Sequence, residues 1–153
     1  MELDAQLSVL INDAANYGVS PVVIEQAIAP VLKAFASQLQ HLEYYVLQNL
    51  EESWVITTIA NPQLKQQKKV IYAFKSVRDA GFFAGKNQTN TIAMPIEIAQ
   101  LLWRLFALQQ VDSIIFLEDS HNLNRGIEIE RNHLLKLIQA RIEQLAEIPP
   151  HIA

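Results

Sequence analysis

An α+β fold is predicted for this chain, with two N-terminal helices, an antiparallel meander, a βαβ unit and a long C-terminal helix packed on a mixed sheet. Three observations carry that expectation. Apolar residues recur at helical spacing near both ends of the chain. The middle holds runs rich in aromatic and β-branched residues, EYYVLQNL, WVITTIA and KVIYAFKS, separated by polar turns. VDSIIFLED is apolar on both alternating faces, as a central strand covered on both sides is. At 153 residues the chain suits one domain, 1–153, long enough to bury a core.

Leu3, Leu7, Leu10, Ile11 and Ala14 define the first helix, and Gly18 closes it in the left-handed conformation. Ser20-Pro21 reads as an N-cap followed by proline at the first helical position. Val22, Ile24, Ile28, Val31, Leu32, Phe35 and Leu39 continue at helical periods, with Pro30 expected to kink or restart the helix. Residues 32–50 also permit a single long helix, because spacings of three and four persist. The aromatic and β-branched content of EYYVLQNL favours a hairpin instead, with strands near 43–49 and 53–60 turning at Glu51-Glu52. NPQLKQQKK is then a polar connection and KVIYAFKS a third strand. SVRDAGFF reads as a short helical turn ended by Gly81 or Gly85, and TNTIAMP as a strand. Pro95 is expected to open the helix IEIAQLLWRLFALQQ, and VDSIIFLED follows as a strand parallel to TNTIAMP through a right-handed crossover. Leu123, Ile127, Leu134, Leu135, Ile138, Ile142 and Leu145 suit one face of a final helix capped by Asn122 or Asn124, with Glu128 and Glu130 in its early turns.

The helix after Pro95 carries a narrow polar stripe of Glu97, Gln100 and Arg104, with apolar residues over the rest of its circumference. A helix lying on one sheet needs an apolar stripe only somewhat wider than about 100°. The surplus demands a second cover, either the N-terminal helices or another copy of the chain. A two-fold homodimer would place Leu102, Trp103 and Phe106 at its interface.

IYAFKSVRDAG, TIAMPIEIAQLLWRL and VDSIIFLED, in that order, resemble the strand–short helix–strand–helix–strand unit of SseB-like proteins. A similar unit occurs in the chloroplast and cyanobacterial import-chaperone family of the inner envelope. The resemblance spans residues 70–119 and rests on the order of hydrophobic segments. Where those families run into a proline-containing turn, this chain has Glu118-Asp119-Ser120-His121. The resemblance implies a non-enzymatic interaction or chaperone-like role, and it carries over no catalytic residues.

Composition narrows the functional classes. Hydrophobic residues make up 50% and charged residues 18%, below the roughly 25% usual for soluble domains. Glutamine and asparagine supply much of the polarity, and such a surface loses little ion hydration on association. A net charge of -4 disfavours nucleic acid, whose binding draws on clustered Lys and Arg, and no basic membrane-binding face stands out. The absence of cysteine removes thiolate chemistry, disulfides and Cys-ligated metal, and suits a reducing cytoplasm. MELDAQLSVL lacks the order of a secretory signal, and no apolar run is long enough to span a bilayer. No cofactor is implied.

The densest group of reactive side chains is FLEDSHNLNRGIEIERNH, residues 116–133. Ligands bind beyond the carboxyl ends of parallel strands, and this segment leaves such an end. Asp119, His121 and His133 are the candidate ligands or acid–base groups, and Arg125 and Arg131 the candidate anion holders. The same residues also read as the solvated start of the final helix, which explains them with fewer assumptions. The spacing from His121 to His133 matches no metal motif. FFAGKNQTN fails as a phosphate loop, with three residues between its glycines and Asn after the lysine. KQQKK reads as a solvated connection, and Tyr44, Tyr45, Trp54, Tyr72 and Phe74 as core aromatics. His41 reads as a hydrogen-bonded structural histidine, and no serine lies in a nucleophile motif. The leading expectation is a non-enzymatic protein–protein interaction or assembly protein, homodimeric. The alternative is a small anionic-ligand-binding or catalytic domain with its site beyond the 112–119 strand.

Overall fold

The computed structural model describes residues 1–63, 65–85, 90–118 and 126–147. The fold is α+β. α1 (Leu3–Asn12) runs into a 3-10 turn (Ala14–Tyr17) that closes at Gly18 with φ 69°, a backbone angle that suits a residue without a Cβ. α2 (Pro21–Val23), a π-helical turn (Ile24–Ile28) and α3 (Ala29–Ala36) follow as one helical run. The π turn ends just before Pro30, where a restart was expected. Proline has no N–H for the carbonyl four residues earlier, that of Gln26. Arg141 Nε supplies the missing donor at 3.1 Å, so the proline ties this run to the last helix.

The strands are β1 (Glu43–Asn49), β2 (Thr57–Asn61), β3 (Gln66–Phe74), β4 (Thr91–Glu97), β5 (Ser113–Leu117) and β6 (Gly126–Glu130). Between them stand α4 (Val77–Ala84) and α5 (Ile98–Ala107), and α6 (Arg131–Glu147) follows β6. They form one mixed sheet in the order β4-β1-β3-β5-β6, with β2 beside the first half of β3.

Four expectations are corrected. The turn at Glu51-Glu52 forms and pairs β1 with the returning chain at a single bridge, Gln48↔Trp54. β1 makes no ladder with β2, which starts only at Thr57 and pairs with β3. Instead β1 pairs with β4 along its length and with β3 at Tyr45↔Phe74 and Val46↔Ala73. The reason is that β1 buries side chains on both faces, Tyr44 and Val46 on one and Leu47 on the other, which calls for an interior place. β4 and β5 point the same way but are separated by β1 and β3, and the adjacent parallel pair is β3 with β5. Pro95 lies inside β4, not at a helix start. An edge strand tolerates its missing N–H, and α5 begins only at Ile98. Residues 126–130 are a strand, not the first turns of the last helix. Ile127 and Ile129 face the core while Glu128 and Glu130 face away, a period of two that covers the free edge of β5.

The first face of the sheet presents Tyr44, Val46, Ile71, Ala73, Ile114, Phe116 and Ile129 to α1, α3, α5 and α6. There α5 buries Ile98, Ala99, Leu101, Leu102, Trp103 and Leu105. α1 and α3 pack against it. Trp103 is 5% exposed and stacks on Phe106 at 5.7 Å, and Phe106 itself packs on the core. The chain thus supplies the second cover, and Leu102 and Trp103 offer no surface for another copy. Of the candidate interface residues, Leu102 and Trp103 are covered within the chain, and Phe106 is partly buried. The second face carries α4 and Val55 over Leu47, Phe74, Leu117 and the partly buried Tyr45, Tyr72 and Ile115.

Gly126 is a point of close approach. A Cβ there would lie 2.7 Å from Ile115 Cγ2 and 3.1 Å from the Phe116 carbonyl. Gly126→Ala is therefore expected to lower stability by about 1–3 kcal/mol through overpacking. Urea unfolding reads it as a lower midpoint at unchanged slope. An unshifted midpoint would show that β6 gives way freely.

Candidate functional site

Of the residues singled out in 116–133, Asp119, His121 and Arg125 lie outside the described residues. Arg131 and His133 are described, and neither sits beyond the carboxyl end of β5. Because β6 runs antiparallel to β5, it carries Arg131 back to the start of that strand, where Arg131 N–H donates to the Asp112 carbonyl at 2.8 Å. His133 sets its ring edge-on to Phe35 at 5.2 Å, a packing contact between α6 and α3. The structure does not gather these two at one place.

Glu118, immediately after β5, gathers a different group. Tyr44 Oη donates to Glu118 Oε1 at 2.5 Å, and the Gln40 N–H reaches the same oxygen at 3.5 Å. His41 Nε2 stands 3.5 Å from Oε2, at ion-pair rather than hydrogen-bond geometry, and its ring lies edge-on to Tyr44. Tyr44 is wholly buried and also meets Phe116 edge-on at 4.9 Å. Burial first, and then the hydrogen bond to the Glu118 carboxylate, push the Tyr44 hydroxyl well above the ordinary tyrosine range. A hydroxyl so enclosed reaches no substrate. The group braces the end of β5 to the segment entering β1, and His41 takes part through a 3.5 Å contact and ring packing, not through the hydrogen bond expected from sequence.

That raised value has a consequence for alkaline stability. A group that binds its proton more tightly when folded adds stability in full below its unfolded value, here 10.0, and loses it as pH rises through the folded value. The wild-type chain is therefore expected to lose stability above about pH 10 more steeply than Tyr44→Phe does. Denaturant midpoints measured across that range decide it. Parallel slopes would remove Tyr44 as the cause.

The open concavity lies at the opposite end, where β5 begins. It is a cleft of about 750 Å³. Ile59 and Asn61 of β2 and Gln66, Gln67 and Lys68 of β3 form one wall. Gln109, Val111 and Asp112, between α5 and β5, form the end, and Glu130, Arg131 and Asn132 form the second wall. Asp112 holds these parts together. Its Oδ2 accepts from Lys69 N–H at 2.7 Å, its N–H donates to the Lys69 carbonyl at 2.7 Å, and its carbonyl accepts from Arg131. Arg131 Nη2 donates to the Phe106 carbonyl at 3.0 Å, leaving Nε buried without a hydrogen-bond partner.

Charge in the cleft is balanced, with Lys68 and Arg131 against Asp112 and Glu130. Lys68 Nζ donates to Glu128 Oε2 at 2.5 Å and lies 3.5 Å from Glu130 Oε1. Ser113 Oγ donates to the same Glu128 oxygen at 2.6 Å. Burial pulls the Glu128 carboxyl upward, but the hydrogen bonds from Lys68 and Ser113 outweigh it and hold it below the usual range. The hydrogen bond to Glu128 likewise raises Lys68. Both stay ionised and bound to each other at neutral pH, so the ammonium is already engaged. What remains available is amide chemistry, with donors and acceptors from Gln66, Gln67, Gln109 and Asn132.

No motif marks this cleft, because four separate segments build it. The only hint in the sequence is the abundance of glutamine and asparagine. Among the described residues no group of His, Asp and Glu is placed to hold a metal ion, and no helix is long and apolar enough to cross a membrane. Comparison with family models, curated proteins and solved structures finds no match to this chain.

Proposed function

We propose that the protein is an interaction module that holds a segment of a partner polypeptide in the cleft at the start of β5 and carries out no chemistry on it. The observation that carries this reading is the lining: amide side chains and mutually compensating charges, on a concavity large enough for several residues. Amides match the donor and acceptor pairs of a peptide backbone. A small anion would call for unopposed positive charge, and Lys68 is engaged by Glu128 and Glu130. The resemblance of residues 70–119 to interaction and chaperone-like proteins supports the same class, and the cysteine-free chain suits a cytoplasmic setting.

Gln109→Trp fills the cleft from an exposed position without entering the core. Crosslinking in cells followed by mass spectrometry is expected to recover partner proteins with the wild-type chain and with Lys136→Ala, an exposed control on α6, but not with Gln109→Trp. Identical recovery with all three would overturn the reading. Light scattering on the same samples reads whether one of the partners is a second copy.

A further inference from the structure

The cleft has the shape of an interrupted sheet. β2 flanks β3 on one edge from Gln66 to Val70, whereas on the other edge β5 begins only at the Val70↔Ser113 pair. Beside Gln66–Lys68 that second edge meets no strand among the described residues. The line of β5 does not continue there. Asp112 still bridges Lys69 to Arg131, but Val111 N–H turns back to the Leu108 carbonyl at 3.2 Å and takes the chain out of the sheet. β6 ends at Glu130, opposite Ser113, so the slot in the line of β5 has Gln66–Lys68 of β3 on one side and Arg131 and Asn132, where α6 starts, on the other.

Backbone polarity points into that slot. In an antiparallel ladder, facing pairs alternate between those that exchange both hydrogen bonds and those that exchange none. Lys69 directs its N–H and its carbonyl at Asp112, so it belongs to a non-bonded pair with Thr58. Two residues earlier, Gln67 opposite Ala60 is in the same phase. Its N–H and carbonyl therefore turn away from β2 and toward the cleft, and Gln67 is one of the residues that line it.

We propose that an extended segment of a partner polypeptide adds to the sheet in this slot, in line with β5, pairing its backbone with the N–H and carbonyl of Gln67. The proposal rests on the reading of the cleft as a polypeptide site and specifies its mode. Gln66, Gln109 and Asn132 border the slot, and the charges around it cancel. The segment that fits is accordingly uncharged, with small or amide side chains.

The test uses the full chain and random heptapeptides displayed on phage, the best of them resynthesised. A peptide that binds through strand addition loses affinity when its amides are N-methylated at every second residue and not at those between. Gln67→Pro removes the N–H that faces the slot and leaves the bonds to β2, so affinity is expected to fall about tenfold, the equivalent of one hydrogen bond. A peptide that Gln109→Trp excludes, but that shows no alternation on N-methylation and ignores Gln67→Pro, overturns the strand mode and leaves the polypeptide cleft standing. Failure to select any peptide, or a peptide indifferent to Gln109→Trp, overturns both. The methylation series is run on the wild-type chain, so the outcome does not depend on Gln67→Pro folding.

Discussion

Leu102→Ala is expected to lower the unfolding free energy by about 2–5 kcal/mol, and by the same amount at every protein concentration. Leu102 is wholly buried on α5, in the cluster that includes Leu7, Leu32, Phe35 and Phe116. Truncation removes apolar contacts and leaves a cavity lined by helices and a sheet that are held in place by other bonds. The independence from concentration follows because every group covering Leu102 belongs to the same chain. Urea melts spanning a hundredfold range of concentration give the measurement. A midpoint that climbs with concentration in the wild type, and less steeply in the variant, would mean that α5 is shared between copies after all.

Gln6→Leu is the second large effect, expected at about 2–4 kcal/mol although it exchanges a polar side chain for an apolar one of similar size in the interior. Gln6 is only 3% exposed. Its Nε2 donates to the carbonyls of Met1 and Leu42, each at 3.0 Å, and its Oε1 accepts from Ala99 N–H at 2.9 Å. The last bond caps α5 from another helix, since Glu97 at the N-cap position makes no side-chain hydrogen bond of its own. Leucine would strand a buried donor and acceptors, and the small gain in buried apolar surface would not offset that. Hydrogen exchange should show the Ala99 amide losing protection before the rest of α5. A variant as stable as the wild type would show that water reaches these groups.

Local periodicity made most elements legible, and its failures have physical causes. α1, the Gly18 stop, the Ser20-Pro21 start and the buried circumference of α5 follow from spacing and from residues with restricted φ. Pairing does not follow in that way. β1 lies between strands that come later in the chain, and nothing within EYYVLQNL names them. GIEIE was hidden because its alternation sits inside a charged run that also suits a helix start. A single misplaced strand then moved Arg131 from one end of the sheet to the other. The Glu118 group was missed because Gln40, His41 and Tyr44 are remote in sequence and meet it only once β1 and β5 share a sheet. The cleft was illegible for the same reason, since it exists only after β2, β3, the end of α5 and the start of α6 converge.

The position of β1 bears on how the chain is made. Its longest ladder is with β4, whose last residue, Glu97, is 48 positions beyond Asn49, the end of β1 (97 − 49 = 48). At about 5–20 residues per second, a ribosome leaves β1 without that mate for roughly 2–10 seconds. During this interval Tyr44, Val46 and Leu47 are greasy and unmatched, and the helices already synthesised are the nearest shelter within reach. Holdase chaperones would find their main purchase on nascent chains arrested between β1 and β4, and little on chains released after β4 has emerged.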